Sequence, residues 1–246
     1  ITWTMNPTLN YGNVQAVRVQ DLMVKEIVEA NNWERPIYFA VTCSEDSKIG
    51  LSDYLRMEGM AFRLVPEKRR ANDEFIEPNV LQANLKEAVG YSRDYQPGFK
   101  FRGLNDPNIF FDDNHKRMVQ NYRNAFLRLT LSYIGQGKND LAVSTLDAMD
   151  EKLPNKLIAM DYGLLYEISN LYLRAGAKDK FNKFSEEVEK QALAKLEKDP
   201  SDVQSYYNPY RILIDIYEAQ GRNDKLLEVW QKLESIFPED PNVKAS

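Results

Sequence analysis

Nucleophilic and metal-binding chemistry has few residues to draw on in this chain. It holds one histidine, His115, and one cysteine, Cys43. A zinc site built from imidazole and thiolate needs three or four such ligands, so the counts exclude it. A Ser-His-Asp or Cys-His arrangement would have to run through His115. That residue follows Asp112, Asp113 and Asn114, side chains that cap helix starts, and an exposed helix-start histidine is the simpler account. The same cluster could hold a hard cation, but capping explains it without one. Asp46, Lys48 and Gly50 come nearest to a calcium loop, with a lysine in a liganding slot and the closing glutamate missing. There is no G-x-G-x-x-G and no Walker sequence to cradle phosphates. The expectation is therefore no catalytic residue, no metal and no cofactor.

Two aromatic groupings could stack on sugar rings: Tyr206, Tyr207 and Tyr210 around Pro209, and Phe99, Phe101, Phe110 and Phe111. Aromatic residues at helical spacing more often form core. A net charge of −5 argues against a nucleic-acid-binding face, and the longest basic run is Lys68-Arg69-Arg70. With 246 residues, 43% hydrophobic and 28% charged, the chain can bury a globular core of one large or two modest domains. No apolar run approaches the roughly 20 residues of a spanning helix. The lone cysteine excludes an intrachain disulfide. The start at Ile1, with no signal peptide, predicts an excised or processed piece of a larger protein.

The elements that position these side chains are clearest in the second half, because it repeats. Phe126, Leu129, Thr130, Tyr133, Gly137, Ala142, Leu146 and Pro154 fit the large-small-aromatic pattern of a tetratricopeptide hairpin. Tyr210, Leu213, Ile214, Tyr217, Gly221, Leu226, Trp230 and Pro238 repeat it at the same internal spacings. A looser copy lies between, at Leu165, Ile168, Ser169, Tyr172, Gly176 and Phe181. Its second helix continues through Phe184, Val188, Ala192 and Leu196, to a length of roughly 30 Å at about 1.5 Å per residue. Tyr133, Tyr172 and Tyr217 are 39 and 45 residues apart, against about 34 in the standard unit. The spacing predicts three stacked antiparallel hairpins in a right-handed array, each covering its neighbour's apolar face.

The first half predicts a different unit. Ile1 to Thr4 and Ile37 to Thr42 have strand character, and Val14 to Asn31 puts Val19, Met23, Ile27 and Ala30 on one helical face. A short helix over Gly50 to Glu58 and a strand over Met60 to Val65 complete a β-α-β-α-β order, which predicts a small parallel sheet covered by helices. One further helix is expected over Asn79 to Val89. The expected fold class is mainly α: a tetratricopeptide-like helical-hairpin solenoid preceded by a small α/β unit. Residues 1–66 form the α/β unit, 67–113 a connecting region and 114–246 the repeats.

In such an array the first helix of each hairpin lines the concave face, the usual binding surface of a solenoid. Counting from the packing tyrosines, that face should present Tyr166, Asn170 and Arg174, then Arg211, Asp215 and Glu218. The lining is mixed in charge and suits an extended polar polypeptide. Arg211 and Asp215, four apart, could equally pair with each other as a solvated face.

Phrases in the first 66 residues carry a family resemblance. Arg18-Val19-Gln20-Asp21-Leu22-Met23-Val24, Asn32-Trp33-Glu34-Arg35-Pro36-Ile37-Tyr38-Phe39-Ala40, Gly50-Leu51-x2-Tyr54-Leu55-x2-Glu58-Gly59 and Arg63-Leu64-x-Pro66 occur in that order. They resemble the C-terminal soluble part of the bacterial DUF2723 family, polytopic membrane proteins similar to protein O-mannosyltransferases of the GT-C type. The helical half, from Asn121-Tyr122-Arg123 onward, resembles the tail of those proteins. The resemblance implies that catalytic carboxylates lie in membrane-embedded loops absent from this chain, so no catalytic residue transfers to it. It also implies a place on the periplasmic side of the bacterial inner membrane. Within the motifs, Trp33, Ile37, Phe39 and Leu55 are expected as core. Arg18, Asp21, Arg35, Glu58 and Arg63 are charges that need partners if buried. Structural ion pairs are the default for them, with contacts to the membrane domain or a glycan as the alternative.

The leading functional expectation is a non-catalytic accessory domain of a membrane glycosyltransferase. Its partners would be a polypeptide or glycoprotein acceptor and the membrane domain of the same protein, with no nucleic acid and no membrane span of its own. A general protein-interaction scaffold and a carbohydrate-binding module are the rivals.

Overall fold

The computed structural model describes residues 1–70, 75–86 and 98–238. The chain opens on a β-hairpin, β1 (Leu9–Tyr11) and β2 (Val14–Ala16), paired antiparallel around Gly12-Asn13. Helix α1 (Val19–Asn31) follows and ends on Asn32 in the left-handed conformation. Strands β3 (Tyr38–Ala40), β4 (Leu55–Met57) and β5 (Ala61–Leu64) make one sheet in the order β3-β5-β4, antiparallel throughout. Helix α2 (Pro78–Lys86) leads into the helical half. There α3 (Asp113–Gly135), α4 (Asn139–Lys152), α5 (Tyr162–Arg174), α6 (Lys178–Lys198), α7 (Pro209–Gln220) and α8 (Asn223–Ile236) run in succession. The molecule is mainly α, with a small α/β unit at its N-terminus.

The expected parallel sheet is not what forms. The Gly50 to Glu58 segment, read as a helix, is a 3-10 turn over Ser52–Tyr54 followed directly by β4. With no helix there to carry the chain back, β4 and β5 join through a tight turn at Gly59 and must run antiparallel. Ile1 to Thr4 is not a strand. Its backbone instead closes on the 3-10 turn, where Tyr54 Oη donates to the Thr2 carbonyl at 2.8 Å. Val14 to Ala16, read as the start of the helix, belongs to the hairpin. The helix expected over Asn79 to Val89 is α2, and positions 87 to 89 lie outside the described residues.

In the helical half, sequence and structure agree because local and tertiary preferences point the same way. Asp112, Asp161 and Asn208 cap α3, α5 and α7 through their side chains. Each hairpin turns at a glycine, Gly137, Gly176 and Gly221, with φ of 70°, 82° and 71°. At all three, the residue after the glycine donates its backbone N–H to the carbonyl of the packing tyrosine. The bonds are Lys138 to Tyr133 at 2.8 Å, Ala177 to Tyr172 at 2.9 Å and Arg222 to Tyr217 at 2.9 Å. The glycine N–H bonds three residues back, which completes a Schellman closure and requires the left-handed φ that glycine supplies. Helices α3–α4, α5–α6 and α7–α8 pair as hairpins, and α4 meets α5 while α6 meets α7. The buried side chains form one contiguous cluster from Phe39 to Leu233.

Candidate interaction surfaces

Tyr172 and Tyr217 occupy equivalent places at successive hairpin junctions. Tyr172 Oη on α5 donates to Asp147 Oδ1 on α4 at 2.9 Å, and Lys180 Nζ donates to the same oxygen at 2.8 Å. Tyr217 Oη on α7 donates to Glu189 Oε1 on α6 at 2.9 Å. There Arg222 closes the group, with its fork 2.6 and 3.1 Å from the two carboxylate oxygens. A tyrosine from one hairpin, a carboxylate from the one before and a cation thus recur as a polar clasp over the apolar stack. Tyr133, the first of the series, donates to Gln82 on α2. The junction chemistry therefore makes α2 the stand-in for a preceding second helix, and it couples the N-terminal unit to the array. Burial pushes the Tyr172 and Tyr217 hydroxyls far above the ordinary tyrosine range. Next in size are the charge of Asp147 for Tyr172 and the hydrogen bond to Glu189 for Tyr217.

Four of the six residues expected on the concave face come together. Tyr166 is buried and its hydroxyl donates to Asp215 across the α5–α7 boundary. Asn170, one turn along α5, acts on the same phenol and opposes the upward shift of its pKa. Arg211 Nε lies 3.9 Å from Asp215 Oδ2, one turn along α7. Burial, then the bond to Asp215, pushes the Tyr166 hydroxyl up to about 12. Arg174 and Glu218 remain exposed. Beside this group a cleft of about 30 Å³ is lined by Tyr166, Glu167, Tyr206, Tyr207, Asn208 and Arg211. Tyr206 is 83% exposed and stands edge-on to Tyr207, with ring centroids 4.9 Å apart. The sequence marked Tyr206 and Tyr207 as a possible stacking pair but did not connect them to the groove. The contact depends on the close approach of the Tyr207 ring to Gly163 on α5, which no spacing reveals.

The other flagged aromatic residues are mostly core. Tyr210 is buried and its hydroxyl donates to the Pro200 carbonyl at 2.7 Å. Phe99 and Phe101 pack on Tyr122 with centroids 5.2 and 5.3 Å away, fastening the connecting segment to α3. Phe110 alone of that group stands out, at 88% exposure. His115 is an exposed helix-start residue, its backbone N–H donating to Asp112 Oδ1 at 2.8 Å. Lys48, in the would-be calcium loop, is buried over the Phe62 ring and bonded to Glu45 at 2.8 Å.

The charged motif residues divide. Asp21, 1% exposed, receives Arg18 through two bonds of 2.9 Å and Thr8 Oγ1 at 2.6 Å. It thereby ties the β1–β2 hairpin to the start of α1, and the Arg18 hydrogen bonds hold its carboxyl below the usual carboxylate range. Glu58 accepts from Tyr38 Oη at 3.1 Å and lies 3.5 Å from Arg63. Arg35 and Arg63 line one cleft of about 190 Å³ with Trp33, Pro36 and Pro66. Of the motif residues expected as core, Phe39 and Leu55 are buried and Ile37 is partly so. Trp33 is not. It is 47% exposed, held in the left-handed turn after α1 at φ 62°.

The face of α1 that the sequence marked, with Val19, Met23, Ile27 and Ala30, also points outward rather than onto the sheet. Asp21 is the helix's one buried residue, and Val24 and Val28 make its inner contacts. No helix among the described residues is long and apolar enough to cross a membrane.

No curated protein and no solved structure matches the chain. Residues 4–83, which span the hairpin, α1, the sheet and most of α2, match the family described as TMEM260-associated domain 2, a domain linked to a family of membrane proteins.

Proposed function

We propose that the chain is the non-catalytic, extramembrane accessory part of a membrane-bound glycosyltransferase of the protein O-mannosyltransferase-like type, held on the periplasmic side of a bacterial inner membrane. In this reading the N-terminal unit joins the membrane domain, and the tetratricopeptide-like array positions an extended polar polypeptide, the acceptor, along its first helices. The observation that carries the reading is the pairing of two features in one chain. The unit matched by a membrane-protein-associated family is clasped, through Tyr133 and Gln82, to a helical array in which Arg211 and Asp215 lie together near exposed Tyr206, with Arg174 and Glu218 also exposed. Mixed charges and an aromatic edge suit main-chain and side-chain polar groups of an unfolded segment better than one charged terminus.

The test reverses the charges of Arg174 and Arg211 together, to glutamate, in the full-length protein and measures acceptor glycosylation. We expect a loss of modification at unchanged thermal stability. Unchanged modification would remove the groove from the mechanism. Sugar transfer by the purified chain alone, from a lipid-linked or nucleotide-activated donor, would overturn the non-catalytic assignment.

A further inference from the structure

We propose that the outer face of α1 is a docking surface for an apolar helix of a protein partner that carries a lysine or arginine opposite Glu26. This goes beyond the acceptor groove and does not depend on it.

Helical periodicity places Val19, Leu22, Met23, Glu26, Ile27 and Ala30 on one face of α1. Among the described residues that face is left largely uncovered: Val19 is 72% exposed, Leu22 43%, Met23 61% and Ile27 58%. Single exposed aliphatic residues need no explanation, but four on two turns of one helix form a patch of the kind that marks an interface. The helix has already spent its inner face on the fold, through Val24, Val28 and the locked Asp21. Tyr11 and Val14, on the hairpin that Thr8 ties to Asp21, are also exposed, at 68% and 61%.

Glu26 decides what can cover this face. It sits within the apolar stripe with its side chain 75% exposed, and its only ion pair among the described residues is a 3.6 Å approach from Lys25. Lys25 is already held by Glu29 at 2.6 Å. A bilayer is the wrong occupant. Helices that lie in the lipid interface carry Lys and Arg on their polar face, whereas α1 has one lysine against Glu26 and Glu29 and would push Glu26 toward the acyl region. A second copy is also wrong, because a two-fold contact along this stripe brings two Glu26 carboxylates within about a turn of each other. A helix with its own apolar stripe and one cation opposite Glu26 covers the aliphatic side chains and pairs the carboxylate as it loses water.

The test places the photoreactive residue p-benzoylphenylalanine at position 23, or at position 110 as the exposed control, in the full-length protein in cells that make it. Adducts are then mapped by mass spectrometry. The expected adduct at position 23 lies on a helix with a lysine or arginine within one turn of the attachment point. Glu26→Lys should cut its yield roughly tenfold or more, and the reciprocal change of the partner's cation to glutamate should restore it. The Arg174 and Arg211 reversal should leave the adduct intact, which separates this proposal from the groove reading. Adducts to lipid, to a second copy or to a helix without a cation would overturn it. So would a yield equal to the position 110 control, or an adduct indifferent to Glu26→Lys.

Discussion

Arg123 lies 1% exposed on α3, in no ion pair among the described residues. Its Nη2 donates to the carbonyls of Leu153, at 3.0 Å, and of Ile158, so the guanidinium holds the chain as it leaves α4 and approaches α5. Burial pushes its pKa down to about 10, with the charge of Asp150 acting the other way, so it remains charged at neutral pH. Replacing it strands two buried carbonyls, each at a cost of about 1–3 kcal/mol. Arg123→Met should therefore lower stability by about 2–4 kcal/mol in urea unfolding, and Arg123→Lys should not recover it, because an ammonium on a shorter stem does not reach the place where Nη2 meets both carbonyls. An Arg123→Met protein as stable as the parent would show that the loop holds itself. The sequence displayed this residue within Asn121-Tyr122-Arg123 but not its role. Its acceptors are backbone atoms 30 and 35 residues away, and a carbonyl carries no sequence signature. Arg18 and Asp21 were marked only as charges that need partners, and their partnership, three residues apart at one helix start, is local.

At the scale of elements, the same contrast explains which parts of the fold could be foreseen. The long helices repeat one pattern of aromatic residue, glycine and proline, and each copy is confirmed by its neighbours. The strands of the N-terminal unit are three or four residues long, too short for alternation to separate strand from 3-10 turn, so Gly50 to Glu58 passed for a helix. The outward face of α1 was misjudged for another reason: periodicity finds an apolar stripe but does not say what covers it. Helix packing also makes a demand that no motif states. On α5, a Cβ at Gly163 would come within 2.5 Å of the Tyr207 ring. Gly163→Ala gains helix propensity of roughly 1 kcal/mol but must displace a ring that is also held against Tyr162, with centroids 6.3 Å apart. Overpacking of this kind costs about 1–3 kcal/mol. The net expectation is a small loss of stability with a clear shift in the Tyr206 and Tyr207 ring resonances. A stabilised variant with unmoved rings would mean that α5 and the α7 entry do not touch this closely.

Across the whole molecule, adjacent hairpins are joined by apolar packing and by tyrosine hydroxyls that must stay protonated. Tyr172, Tyr217 and Tyr166 face Asp147, Glu189 and Asp215, so ionising any of them sets a phenolate beside a carboxylate. All three hydroxyls are raised in the folded state, chiefly by burial, and Tyr166 reaches about 12. In the unfolded chain a tyrosine titrates at about 10. A raised folded pKa means the native state holds its protons longer than the unfolded state. The stabilisation is therefore complete below about pH 10 and lost as pH climbs through the folded values. The array should show a level urea midpoint through neutral pH and a steep fall between about pH 10 and 12. Because each hairpin leans only on its neighbours, the loss should spread along the stack rather than stay at one site. Tyr172→Phe with Tyr217→Phe separates this cause from general alkaline unfolding. At neutral pH the double variant should lose about 1–2 kcal/mol per hydroxyl, with Lys180 and Arg222 still pairing the carboxylates. Above pH 10 its midpoint should fall less steeply than the parent's, because two of the groups that drive the fall are gone. Parallel curves for the two proteins would place the alkaline sensitivity elsewhere and reduce the recurring clasp to a geometric coincidence of the repeat.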